Sequence, residues 1–265
     1  MLNKYLPVNE YHTPENYKRV LCDRLWLGAS VYFNMKFLQI IFRNRKLALR
    51  NQYDTAQWAK SSYDIFKLLE KCGAKIHIEG FEHLDAVKDE PVVFVSNHMG
   101  TLETMVFPGL IAPVKEVTFV VKGSLTENPI FGPIMRARNP IAVSRSDSRQ
   151  DLLKVITEGQ QKLSEGISVI IFPQSTRTTE FIPEKFNSLG VKLAQKANVR
   201  VVPIAIKTDC WANGRMIRDL GYLQRNEPVH IKFGEPITIK GAGKEEHQFI
   251  LDFIKKHLDR WNQNK

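Results

Sequence analysis

The sequence predicts an α/β protein: a single layered domain with a central mixed sheet flanked by helices, preceded by an N-terminal helical segment that anchors to membranes. Three observations carry that expectation. From residue 75 onward, short β-rich runs alternate with helix-like stretches. At 265 residues and 43% hydrophobic content, the chain can bury one sizeable core. Its most apolar stretch, residues 25–42, lies between two basic clusters.

That stretch, LWLGASVYFNMKFLQIIF, has 18 residues, the lower edge of membrane-spanning length, and Asn34 and Lys36 interrupt it. Lys18, Arg19 and Arg24 precede it, while Arg43, Arg45, Lys46 and Arg50 follow. Such flanks fit a helix lying against anionic headgroups; a buried domain helix and a true span are the alternatives. Residues 55–70 read as a second amphipathic helix, with Trp58, Tyr63, Phe66 and Leu69 near helical spacing and Gly73 as a stop. Strands are expected at KIHIEG, VVFVS, VTFVV, SVIIF, RVVPIAI and HIKFGEPI. The helix-like stretches between and after them cover residues 102–111, 128–137, 147–164, 188–197 and 245–260. This divides the chain into a membrane-associating segment, 1–72, and a layered domain, 73–265.

Lys and Arg outnumber Asp and Glu by 38 to 28, a formal charge of +10 that favours polyanionic partners: phosphorylated substrates, anionic bilayers or nucleic acid. Cys22, Cys72 and Cys210 are widely spaced and form no C-x-x-C pair, so neither a disulfide framework nor a cysteine zinc site is expected. A reducing compartment fits best, and the polar N terminus lacks the pattern of a secretory signal. No repeat, no Gly-rich phosphate loop and no G-x-S-x-G elbow occurs. No metal-ligand spacing is present either.

The sequence SNHMGTLET, residues 96–104, joins a strand pattern to a helix pattern and holds His98 and Glu103 five positions apart. On one continuous helix these side chains would diverge. With His98 in the connecting loop and Glu103 in the first helical turn, the imidazole can fold back onto the carboxylate, which would fix its tautomer and free the other nitrogen to take a proton. The competing reading is structural: Thr101 caps the helix and Glu103 complements its N-terminal dipole.

Here the sequence resembles the glycerolipid acyltransferases, the family of the lysophosphatidic acid (1-acylglycerol 3-phosphate) acyltransferases. Their N-H-x-x-x-x-D signature matches Asn97 to Glu103, with Glu replacing Asp. NPIAVSR, residues 139–145, is similar to the second block, with Asn139 replacing its opening Gly and Arg145 retained. FPQSTR, residues 172–177, is similar to the third block, F-P-E-G-T-R, with Gln174 and Ser175 substituted and Arg177 kept. VVPIAI, around Pro203, resembles the fourth. Both acidic signature positions are therefore altered together.

The resemblance implies transfer of an acyl group from a thioester, carried by coenzyme A or acyl carrier protein, to the hydroxyl of a lysophospholipid, with 1-acylglycerol 3-phosphate the leading acceptor. His98 and Glu103 would be catalytic. Arg145 and Arg177, with Lys122 a weaker third, would bind the acceptor phosphate through charge-assisted hydrogen bonds. The turn Phe172, Pro173, Gln174, Ser175 and Thr176 would border the reacting carbonyl, and backbone N–H groups near it could stabilise an oxyanion. A thioester is already activated, so neither metal nor cofactor is expected. An anionic membrane surface on the cytoplasmic face is the expected setting, and nucleic acid is not an expected partner. Acylation of another lysolipid, or a silent lipid-binding role on the same scaffold, are the alternatives prompted by the altered acids.

Overall fold

The computed structural model describes residues 6, 9–25, 30–174, 176–214, 217 and 219–263. Its strands are β1 (Tyr11–His12), β2 (Ile76–Glu79), β3 (Val93–Ser96), β4 (Val117–Lys122), β5 (Ile141–Val143), β6 (Ser168–Ile171), β7 (Val201–Lys207) and β8 (Val229–Phe233). They form an eight-stranded sheet in the order β1-β2-β8-β7-β3-β6-β4-β5. β3 to β7 all run parallel, β7 and β8 pair antiparallel, and β1 pairs antiparallel with β2. The expected mixed sheet is thus present, and all six expected strands belong to it. β1 and β5 are additional.

β3, β6 and β7 are buried along their whole length, as their Val- and Ile-rich apolar runs lead one to expect of parallel strands covered on both faces. The flanking helices are α1 (Leu21–Leu25), α2 (Val31–Leu49), α3 (Thr55–Lys71), α4 (Phe81–Asp85), α5 (Leu102–Ile111), α6 (Gly123–Glu127), α7 (Gly132–Arg136), α8 (Ser148–Ser164), α9 (Leu189–Ala197) and α10 (Lys244–Gln263). The helix expected over 128–137 is shorter, α7 alone, because the Asn128 side chain accepts the N–H groups of Ile130 and Phe131 (2.9 and 3.0 Å) and makes a turn of the residues before it; α6 precedes that span and is additional.

α3 begins where the Asp54 carboxylate accepts the Gln57 N–H (2.8 Å) and ends before Gly73, whose φ of 94° suits a residue without a Cβ. Its Ser62 hydroxyl reaches the Met105 and Val106 carbonyls (2.6 and 2.9 Å) and accepts the Gly109 N–H (2.7 Å). This satisfies backbone groups around Pro108, which cannot donate within α5, and locks α5 in place.

α2 overlaps the apolar stretch 25–42 and continues beyond it, with one face in the core. It runs from Val31 to Leu49 and turns Phe33, Phe37, Ile41, Asn44 and Ala48 inward. The Phe33 and Phe37 rings meet the fully buried Trp211 edge to face at 4.8 and 4.9 Å. Met35, Phe42 and Leu49 remain exposed on the opposite side. Among the described residues no helix is long and apolar enough to cross a membrane; residues 26–29 of the apolar stretch lie outside the described ones.

Candidate active site

Five parallel strands place their carboxyl ends along one side of the sheet, where ligands of open α/β folds bind. His98 follows β3, Lys122 ends β4, Arg145 follows β5, Phe172 follows β6 and Thr208 follows β7. A cavity of about 570 Å³ opens there, lined by His98, Lys122, Arg145, Phe172, Pro173, Gln174 and Arg177. Its remaining walls are largely apolar, with Ile41, Trp58 and Ile65 of α2 and α3 facing Phe119, Phe131 and Met135. The N-terminal helices therefore build part of the cavity.

His98 Nδ1 lies 2.7 Å from Glu103 Oε1. The same oxygen accepts the backbone N–H groups of Met99 and Gly100 at 2.7 and 2.8 Å, and Oε2 accepts the Thr208 hydroxyl at 2.7 Å. Helix-end satisfaction and imidazole orientation, alternatives at the level of sequence, are both carried by this one carboxylate. Thr101 does not cap: it makes no side-chain cap hydrogen bond and turns its hydroxyl to Asp219 (2.7 Å). Glu103 is fully buried. Burial opposes its ionisation, yet the hydrogen bond and charge of His98, with the Gly100 N–H and Thr208 hydroxyl, hold its pKa below the ordinary value. An ionised Glu103 makes Nδ1 the donor, so Nε2 is the nitrogen able to accept a proton.

The His98 main chain is equally fixed. Its N–H donates to Gln174 Oε1 at 2.7 Å, its carbonyl accepts the Thr178 N–H at 3.0 Å, and its ring stacks on Phe172 at 4.4 Å. Asn97 ties the loop to β7 through both ends of its amide, donating to the Ile206 carbonyl and accepting the Ile206 N–H at 2.8 and 2.9 Å. An amide oxygen at 174 serves the His98 N–H without needing a negative charge.

The arginine end is built differently. Arg145 has a left-handed backbone (φ 62°), held by Asp151, which accepts the N–H groups of Ser144 and Arg145 at 2.8 and 2.7 Å. Such a conformation is costly for a residue with a side chain and clusters at ligand sites. Partial burial and the charge of Arg177 lower the Arg145 pKa against the pull of Asp151. Both arginines line the same cavity. Asn139 also has a positive φ, 44°, so asparagine stands here where the backbone needs a left-handed residue. Arg177 donates through Nη1 to Thr101 Oγ1 (3.0 Å) and Asp219 Oδ1 (2.8 Å). Thr176 is exposed and does not line the cavity, and Ser175 lies outside the described residues.

Sequence reasoning missed Thr208 and Asp219. Thr208 could have been sought as the residue ending a predicted parallel strand; Asp219 sits in an aperiodic excursion with no signal.

Residues 75–207 match the family model named Acyltransferase, half of the chain. The chain belongs to the acyltransferase family. It is an acyltransferase whose match spans His98, Glu103, Arg145, Gln174 and Arg177 and ends beside Thr208. Relatives of this acyltransferase include the 1-acyl-sn-glycerol-3-phosphate acyltransferase of Pseudomonas aeruginosa, 29% identical over 194 residues, 73% of this chain and 70% of that protein. The chloroplastic 1-acyl-sn-glycerol-3-phosphate acyltransferase of Arabidopsis thaliana is 34% identical over 134 residues, covering 50% of this chain but only 36% of that protein. A crystal structure of the 1-acyl-sn-glycerophosphate (LPA) acyltransferase PlsC from Thermotoga maritima shares the fold at a TM-score of 0.63 and 22% identity, covering 91% of this chain and 95% of that one.

Proposed function

We propose that this acyltransferase moves a fatty acyl group from a thioester of coenzyme A or acyl carrier protein to the free hydroxyl of 1-acylglycerol 3-phosphate. The observation that carries the proposal is one cavity presenting an oriented imidazole, the side chains of Arg145 and Arg177, and apolar walls. His98 Nε2 takes the hydroxyl proton as the oxygen attacks the thioester carbonyl. The tetrahedral intermediate collapses with cleavage of the C–S bond, and the imidazolium returns its proton to the departing thiolate. Arg145 and Arg177 hold the acceptor phosphate, Lys122 adds charge, and the Trp58 and Phe119 walls receive the acyl chain. Phe172, Pro173 and Gln174 border the reacting carbonyl. The step balances without metal, cofactor or covalent enzyme intermediate.

The exposed Met35, Phe42 and Leu49 recur every seven residues along α2, close to two full helical turns, and Leu21 and Leu25 are exposed on α1. Lys36, Arg43, Lys46 and Arg50 flank them. This stripe supports seating of the exposed faces of α1 and α2, within the segment 1–72, in the headgroup region of an anionic bilayer, while β1, α3 and the inward face of α2 stay packed with domain 73–265. Three free cysteines support a cytoplasmic face. Replacing Met35 and Phe42 together by Asp should release the protein from anionic vesicles in co-sedimentation while the melting temperature stays near wild type. Unchanged sedimentation would remove the stripe from the account.

The activity is tested by incubating the full chain with acyl-coenzyme A, or with acyl carrier protein thioester, and a panel of lysolipids, with products identified by mass spectrometry. Phosphatidate formation with equimolar thiol release is expected. Acylation of a neutral lysolipid in preference to lysophosphatidate would contradict the acceptor assignment, and no thiol release with any acceptor would favour a silent lipid-binding role.

A further inference from the structure

Residues 208–214 lead away from the end of β7, and residues 219–224 come back beside them. A backbone bridge between Trp211 and Leu223 joins the two, with the Ala212 N–H donating to the Tyr222 carbonyl at 3.0 Å and the Gln224 N–H to the Cys210 carbonyl at 2.7 Å. Together they touch three parts of the molecule. Thr208 holds Glu103, Asp219 holds Arg177 and Thr101, and the Leu223 N–H donates to Ser30 Oγ at the start of α2 (2.8 Å). Trp211 packs beneath the Phe33 and Phe37 rings of that helix.

We propose that Asp219, with Thr101, is the positioning residue for Arg177: it grips one nitrogen of the guanidinium and presents the remaining donors to the acceptor phosphate. This rests on the phosphate-binding reading of Arg177. Three observations support it. The Asp219 contact is made by a single oxygen to Nη1, so the Nε and Nη2 edge is left to meet a ligand. The Thr101 hydroxyl, in place of capping α5, donates to the same carboxylate oxygen and accepts from the same nitrogen, which closes a three-membered hydrogen-bonded ring around that one grip. Both charged side chains are shielded without being buried, at 18% exposed for Arg177 and 23% for Asp219, and Asp219 itself lines the cavity. A long side chain on a turn would otherwise sample many rotamers, and ordering it in advance removes that cost from acceptor binding.

Positioning and simple charge competition predict opposite results, which makes the idea testable. Acceptor and donor KM are measured separately for Asp219→Ala, Asp219→Asn, Thr101→Val and Arg177→Ala, using lysophosphatidate and a monoacylglycerol of the same chain. Asp219→Ala should raise the KM for lysophosphatidate about tenfold, with kcat and donor KM within about twofold of wild type. Asp219→Asn keeps the accepting oxygen and should recover most of the loss. Thr101→Val should show a weaker version of the same selective effect. Adding Asp219→Ala to Arg177→Ala should cost nothing further, since the group it positions is gone. The proposal is overturned if Asp219→Ala leaves the KM unchanged or lowers it, if donor KM rises equally, or if the two losses add. Should Arg177→Ala penalise both acceptors alike, the phosphate reading itself fails and takes this inference with it; a selective Arg177 penalty with an inert Asp219 sinks the inference alone.

Discussion

The two ends of the cavity are held in opposite ways. At the dyad every group has a partner inside the protein: Glu103 accepts four hydrogen bonds, and the His98 N–H, carbonyl and ring are each engaged. At the arginine end like charges converge, Arg145 sits in a costly backbone conformation, and Arg177 is held by one nitrogen. A group that must act on any acceptor hydroxyl gains from complete preorganisation. At the arginine end Arg177 keeps donors beyond its one gripped nitrogen, and both arginines line the cavity where an anion would sit. Under the proposed function, the difference puts chemistry at one end and acceptor choice at the other.

The comparison breaks most visibly at His98. Replacement by Ala should lower kcat by about 10²–10⁴-fold for every acceptor, with little change in melting temperature, because the backbone N–H to Gln174 survives. Turnover near wild type would remove His98 from the mechanism. At the other end, Arg145→Ala and Arg177→Ala should each cost roughly 1.5–3 kcal/mol in kcat/KM for lysophosphatidate, about one to two orders of magnitude, by removing a charge-assisted contact. Lys at either position should rescue only part of it, since an ammonium cannot reproduce a planar fork.

Smaller effects sharpen the contrast. Gln174→Ala leaves the buried His98 N–H unpaired and should destabilise by about 1–3 kcal/mol, measured by chemical denaturation, whereas Gln174→Glu keeps the acceptor and should stay near wild type. Glu103 titrates below its ordinary value in the folded state. Its contribution to stability is therefore complete above the unfolded-state pKa of about 4.3 and is lost as pH falls through the lower folded value. Melting temperatures taken from pH 6 to pH 3 should fall more steeply for wild type than for Glu103→Gln; parallel curves would contradict the assigned role of the carboxylate.

Much of this was legible in the sequence. Parallel strands write themselves as short apolar runs rich in Val and Ile, and β3, β4, β6 and β7 are all visible on that basis. β1 and β5 have two and three residues, too few to show a period, and β5 lay inside a motif block. The His98 and Glu103 contact was readable because loop and first turn are adjacent in sequence. Thr208 and Asp219 reach the site from 105 and 42 residues away from their partners Glu103 and Arg177, and contacts of that range depend on topology. Composition alone could not divide the apolar stretch, because a helix turning side chains into a core has the same composition as one facing lipid: Phe33, Phe37 and Ile41 go inward while Met35 and Phe42 do not. Asn139 and Gln174 looked like departures in the sequence; in the fold, Asn139 adopts the left-handed turn and Gln174 supplies an acceptor oxygen.

The division of labour between the two ends is tested most directly by one ratio: kcat/KM for lysophosphatidate divided by kcat/KM for a monoacylglycerol of the same chain. It is measured in wild type, His98→Ala and Arg177→Ala, with residual His98→Ala activity followed by mass spectrometry. The account predicts that His98→Ala lowers both numbers and leaves their ratio within about threefold, while Arg177→Ala collapses the ratio by at least about tenfold with the neutral acceptor little affected. A ratio unchanged in Arg177→Ala, or shifted as strongly in His98→Ala, would contradict it.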